Sequence, residues 1–211
     1  MVYRTFVSMK IALIGTGDIA EAYALRYAES GHEVLMAWKG NNKGISPALA
    51  MIENISTCSI EEAAYQADMI VIATSPADVR EVAYWLGDVR GKVIIDATAN
   101  IHVNLDEQVN TFWAIKAITG SLHIVKVFTT RGYEQLLKPL FKHERIQLIM
   151  VGDSRKAKEI VKILTLDLGT KDFFDMGGSE TITLFNEMTA GWRKLVQAHD
   201  KTVIATKAIK I

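Results

Sequence analysis

The sequence holds a single cysteine, Cys58. A disulfide within the chain is therefore excluded, and so is any cysteine-rich metal centre. This usage fits a reducing compartment, and a cytoplasmic location is the expectation. Proline is scarce too: Pro47, Pro76 and Pro139 are the only three. No stretch rich in proline, glycine and serine divides the chain, so one domain is expected. An excess of charge of one sign is also missing, since 24 Lys and Arg balance 24 Asp and Glu. Nucleic-acid binders generally carry a basic excess, and so do proteins drawn to anionic membranes. Neither class of partner is expected here. No apolar run approaches the roughly 18 residues that a membrane span requires. The five histidines, His32, His102, His123, His143 and His199, stand at no metal-ligand spacing from Cys, Asp or Glu. No metal is expected.

What is present is the alternation of short apolar runs with amphipathic stretches, the pattern of parallel α/β structure. Strands are expected over Lys10–Ile14, Glu33–Trp38, Met69–Ala73, Lys92–Ala97, His123–Phe128, Gln147–Val151 and Lys171–Asp175. Helices are expected over Asp18–Glu29, Ser59–Ala67, Asp106–Ile118, Tyr133–Leu140 and Arg155–Asp167, with a long last helix from Ser179. Ser59 and Glu62 form a capping box, Ser154 reads as an N-cap, and Pro76 reads as a first-turn proline. The expected architecture is an NAD(P)-binding Rossmann fold in one domain: a doubly wound, mostly parallel sheet extended by extra edge strands. It spans residues 9–211, with residues 1–8 as an extension ahead of Met9.

The chemistry concentrates in Gly15-Thr16-Gly17-Asp18-Ile19-Ala20, which follows a strand and opens a helix. The first glycine permits the tight turn, the second leaves room for a pyrophosphate, and the third position must be small for helix and strand to pack. The unpaired N–H groups of the helix then meet the phosphates. Asp18 reads as a favourable charge on the helix dipole rather than a catalytic group.

An NAD site carries Asp or Glu about 20 residues beyond such a loop. Here no carboxylate falls between Glu33 and Glu53, and the segment supplies Trp38, Lys39, Asn41, Asn42, Lys43 and Ser46 instead. Cations and amides suit a 2′-phosphate. NADP(H) is therefore the expected cofactor, with Trp38 on adenine and Lys39 on the phosphate.

Several segments together resemble one family. They are Lys10–Gly17, Val71-Ile72-Ala73-Thr74-Ser75-Pro76, Lys92–Thr98, Val125-Lys126-Val127-Phe128-Thr129-Thr130, Gly152-Asp153-Ser154 and Asp175-Met176-Gly177. The family is that of the NADP oxidoreductases dependent on coenzyme F(420), a deazaflavin. Its fold is shared with the NADPH-binding domain of the STEAP ferric reductases. The resemblance implies hydride transfer between NADP(H) and a deazaflavin or flavin-like acceptor, a reaction whose chemistry lies in the cofactor. It implies that Gly15, Thr16, Gly17, Asp18 and Ile19 cradle the pyrophosphate. Thr74, Ser75 and Pro76 would line the ribose and nicotinamide, and Ala97, Thr98 and Asn100 would sit by the nicotinamide. No catalytic side chain is assigned. The chain departs from the family at Thr98-Ala99-Asn100-Ile101 and Phe128-Thr129-Thr130, both on the acceptor side.

Lys126 is open between a role on nicotinamide or substrate and a structural one at a strand end. His102, which follows the Asn100 loop, is the histidine best placed for a substrate contact, and His32 reads as a surface residue. Cys58 reads as a buried structural thiol. Arg155, Lys156, Lys158 and Lys162 read as a solvated helix face. Phe173-Phe174 and Leu184-Phe185 read as core, and Trp192, Leu195 and Val196 as a face for a second subunit in a homodimer. The alternative function is a non-catalytic NADP(H)-binding sensor or module. A relative of pyrroline-5-carboxylate reductase is disfavoured because the chain is too short for that family's helical dimerisation domain.

Overall fold

The computed structural model describes residues 8–40, 44–98, 110–129, 140–141, 144–145, 147–169 and 172–198. The first half runs β1 (Lys10–Ile14), α1 (Asp18–Glu29), β2 (Glu33–Ala37), α2 (Pro47–Ala50), β3 (Ile55–Thr57), α3 (Ile60–Gln66), β4 (Met69–Ile72), α4 (Val79–Trp85) and β5 (Val93–Asp96). The second half runs α5 (Thr111–Thr119), β6 (Ile124–Thr129), β7 (Leu140–Phe141), β8 (Glu144–Arg145), β9 (Gln147–Val151), α6 (Arg155–Asp167), β10 (Asp172–Asp175), a 3₁₀ turn (Ser179–Thr181) and α7 (Ile182–Ala198).

Eight strands form one sheet in the order β10-β9-β6-β5-β4-β1-β2-β3. β1 to β6 are parallel, β9 joins β6 antiparallel, and β10 pairs parallel with β9. The doubly wound sheet with added edge strands is thus the fold expected from the sequence. β7 and β8 make a separate two-stranded ladder.

The central strands are apolar at every position because both faces are covered. β4 is buried along its whole length, and so is β9. Residues of alternate parity enter opposite cores. Ile11 and Leu13 pack with α1 and α6, whereas Ala12 and Ile14 pack with α3, α4, α5 and α7. Each fully buried Ile or Leu contributes about 1.5–3 kcal/mol relative to an exposed one. α1 lies close to the sheet through its alanines, and Ala20, the small residue required after the glycines, is completely buried.

Three helices begin at side-chain caps. The Ser59 hydroxyl accepts from Glu62 N, the Asn110 side chain from Trp113 N, and the Ser154 hydroxyl from Ala157 N. The Ser59 box is half made, since the Glu62 carboxylate accepts from Gln66. The Ser154 hydroxyl also lies 2.9 Å from His123 Nδ1. Ser154→Ala is expected to cost about 1 kcal/mol. Urea unfolding should show a lower midpoint at unchanged slope.

Some expectations are corrected. α5 starts at Thr111 with Asn110 as its cap, and residues 106–109, where an earlier start was expected, lie outside the described residues. Leu140 belongs to β7, not to a helix end; residues 133–139 lie outside the described residues. Pro76 lies in the turn ahead of α4, whose N-cap is Asp78. Leu184 is exposed, and its neighbour Phe185 fills the core.

His32 is buried, not on the surface. Its Nδ1 accepts from Met9 N at 3.1 Å, which places the ring proton on Nε2, 3.3 Å from the Asp167 carboxylate. The Gly31 turn that suggested exposure is covered by the end of α6, more than a hundred residues away in sequence.

Candidate dinucleotide site

In an open α/β sheet the ligand crevice lies beyond the carboxyl ends of the strands, where the strand order reverses. Here that point falls at β1, between β2 and β4. Three loops leave the sheet there, and each starts with a backbone bond that extends the ladder. Gly15 N donates to Ala37 O, Ala73 N to Ile14 O, and Ala97 N to Ile72 O, at 2.8, 2.8 and 2.9 Å. The loops are thereby held in fixed register to one another.

The two glycines have different jobs. Gly15 has φ +141°, and a Cβ there would overlap the Ala73 carbonyl. It is required by the fold itself, because β1 and the loop after β4 meet at this point. Gly17 is the N-cap of α1 in ordinary extended backbone, and a Cβ there would meet nothing within 4 Å. The space beside it is open. Unlike the three capped helices, α1 receives no side-chain cap. Its first-turn N–H groups and the positive end of its dipole therefore face that space, an arrangement suited to a phosphate. Asp18 is the first helical residue and is exposed, as its reading as a dipole charge requires. Thr16 and Ile19 are half-buried.

Lys39 follows β2 and lies at the same sheet end. Its ammonium is 2.5 Å from Glu81 and 3.1 Å from Asp78. The hydrogen bond to Glu81, then that to Asp78, pushes the lysine pKa up. These two carboxylates were not singled out from the sequence. Nothing local marks them, since they sit about forty positions downstream on the first turn of another helix. Trp38 is half-buried beside Gly44. Residues 41–43, which include Asn41, Asn42 and Lys43, lie outside the described residues. The loop re-enters at Ser46, whose N–H is held by Glu21 of α1 at 2.8 Å.

After β4, Thr74 is half-buried, Ser75 exposed and Pro76 buried. The Ser75 hydroxyl accepts from Ala77 N and its carbonyl from Asp78 N, so the segment is a fixed turn leading into α4. After β5, Ala97 and Thr98 are buried. Asn100, like His102, lies outside the described residues.

Thr98 does not offer its side chain to the crevice. Its hydroxyl donates to Asp96 Oδ1 at 2.6 Å, and its N–H reaches the same oxygen at 3.1 Å. Asp96 Oδ2 accepts from Thr111 at 2.6 Å and from Lys126 Nζ at 2.7 Å. Lys126 Nζ also donates to the Thr98 and Thr111 hydroxyls at 3.1 and 2.7 Å. Three donor directions thus meet three acceptors, and the lysine is 3% exposed. The structural alternative for Lys126 is the one realised. The network ties β5, β6 and α5 together and fixes the chain as it leaves β5.

Among the described residues there is no group of His, Cys, Asp and Glu able to hold a metal. No helix among them is long and apolar enough to cross a membrane. Cys58 is half-buried, and burial, then the nearby Glu62 charge, pushes its thiol pKa up. That is the opposite of what a nucleophilic thiolate needs. Of the basic helix face, Lys158 binds Asp175 and the Gly177 carbonyl, and Lys162 binds Glu159.

Comparison with known proteins agrees with this geometry. Residues 10–100 match the family described as NADP oxidoreductase, coenzyme F420-dependent. The F420-dependent NADP reductase of Methanothermobacter thermautotrophicus is 34% identical over 102 residues, which cover 44% of this chain and 44% of that protein. The matched part is thus less than half of the curated relative. The structure resembles that of a candidate F420-dependent NADP reductase from Arthrobacter sp. FB24, with a TM-score of 0.81, 21% identity and coverage of 96% and 100% of the two chains. It also resembles the reductive aminase of Aspergillus terreus, solved with NADPH4, cyclohexanone and allyl amine, at a TM-score of 0.62 and 13% identity, with coverage of 91% of this chain and 65% of that one. At these identities the two structural likenesses establish the fold.

Proposed function

We propose, for a chain whose residues 10–100 match the coenzyme F420-dependent NADP oxidoreductases, that it is an NADPH-dependent oxidoreductase. It would move hydride between NADP(H) and a small deazaflavin or flavin-like acceptor. The observation that carries this reading is the uncapped start of α1, open at Gly17, with the Lys39 cation at the same sheet end.

The residues present fit a dinucleotide. Gly17 leaves the space that a pyrophosphate fills, and the backbone of Thr16, Gly17, Asp18 and Ile19 would hold it. Gly15 sets the turn. Trp38 would flank the adenine and Lys39 would pair with the 2′-phosphate. Thr74, Ser75 and Pro76 would border the ribose and nicotinamide. Ala97 and the backbone of Thr98 would form the floor beside them, with Asn100 beyond. Bound NADPH supplies the hydride. The chain's own task is then to orient two rings at near-attack distance, which calls for little acid or base machinery, the one proton that the reduced acceptor takes up coming from solvent.

The test is NADPH oxidation by the purified protein against a deazaflavin, a free flavin and a ferric chelate, with NADH in parallel. Turnover with the deazaflavin or flavin and a preference for NADPH is the expected result. Tight NADPH binding without turnover on any acceptor would instead favour a binding module.

A further inference from the structure

Lys39 is the cation that the proposed site would offer to a 2′-phosphate, yet two carboxylates of the chain already engage it. Asp78 is the N-cap of α4, and Glu81 stands in its first turn. Both reach back to a lysine that follows β2, so the ion pairs join elements on either side of β1. Carboxylates at a helix start are favourable for that helix alone. Asp78, however, makes no side-chain cap bond. Its carboxylate is spent on Lys39.

We infer that Asp78 and Glu81 set how strongly the site separates NADPH from NADH, by holding Lys39 in a clasp that a 2′-phosphate must open. This rests on the assignment of Lys39 to the 2′-phosphate.

The sign follows from counting charges. One ammonium faces two carboxylates, a formal net charge of −1. A phosphate arriving there gains the lysine only by displacing Glu81 and Asp78, and it meets their repulsion as well. What NADPH gains from its extra phosphate is therefore the difference between two ion pairs rather than one whole pair. NADH brings no such phosphate and leaves the clasp closed. The two carboxylates thus lower the NADPH affinity selectively. The hydrogen bonds to Glu81 and then to Asp78 push the Lys39 pKa up, in keeping with this pairing. All three side chains remain about a third or more exposed, so the effect is one of surface ion pairs.

The experiment is a titration of NADPH, NADH and 2′,5′-ADP into the parent and into Glu81→Gln, Asp78→Asn, the double variant and Lys39→Ala. The carboxylate variants should tighten NADPH and 2′,5′-ADP about three- to tenfold, most in the double variant. NADH should stay within about twofold. Lys39→Ala should lose most of the NADPH preference, and in that background the carboxylate substitutions should lose most of their benefit. If Lys39→Ala removes the preference but the double variant binds NADPH no better, the clasp is wrong and the lysine assignment stands. If the carboxylate variants weaken NADH, the two acids serve ribose hydroxyls and the inference is overturned. If Lys39→Ala leaves NADPH untouched, the assignment of the lysine fails and the clasp falls with it.

Discussion

Gly17→Val is expected to weaken NADPH binding by about a hundredfold or more, or roughly 2.7 kcal/mol, while the melting temperature moves by no more than about 4 °C, the cost of a poorer N-cap residue. The separation of the two readouts comes from the geometry of Gly17. Its backbone is at φ −79° and ψ 169°, an extended conformation that a β-branched residue adopts readily. No protein atom stands within 4 Å of where the Cβ would be. The valine therefore costs the folded chain little, and its methyl groups enter the space assigned to the pyrophosphate. Gly15→Val should show the reverse order of effects. At φ +141° its Cβ would run into the Ala73 carbonyl, so the fold suffers first. Thermal melts and a fluorescence titration with NADPH read both quantities on the same samples. Undiminished affinity in a folded Gly17→Val protein would sink the loop assignment.

The difference between those glycines was only partly legible in the sequence. Spacing after a strand identifies the loop, because turn, helix start and close packing are all local demands on neighbouring residues. For the same reason α1 and α6 lie where the sequence places them, with Ser154 as the cap. What spacing does not carry is the partner brought in from elsewhere. His32 looked exposed because it follows a glycine turn, yet Asp167 closes over it from a distant helix. Lys39 reads as a cation for the 2′-phosphate, yet α4 brings two carboxylates to it. Thr98 was placed correctly at the end of β5, but its hydroxyl turns inward to Asp96. In each case the chain position was readable and the direction of the side chain was not. Direction depends on which distant element packs there.

Lys126→Met should destabilise the fold by about 3–5 kcal/mol, the usual cost of removing one partner from a buried ion pair. Lys126 is 3% exposed and Asp96 is 0% exposed, so water cannot take the place of a missing partner. Met matches the lysine stem in length, which confines the loss to the charge and its three hydrogen bonds. The Asp96 carboxylate would keep the Thr98 and Thr111 hydroxyls but remain buried without its cation. Asp96→Asn should be costly for the converse reason, leaving the ammonium with two hydroxyls and an amide. The pair acts as a unit, so Asp96→Asn combined with Lys126→Met should cost clearly less than the sum of the two single changes. Urea unfolding of the four proteins closes the cycle. Additive losses, or a single loss below about 1 kcal/mol, would mean that the pair is not the clamp described. The position of the clamp gives it a second consequence. Thr98 is where the chain leaves β5 for the proposed nicotinamide side, and its N–H and hydroxyl are both anchored on Asp96. Variants that remain folded should therefore bind adenosine-side fragments such as 2′,5′-ADP normally. They should lose turnover with the acceptor, since only the floor under the reacting ring has been released.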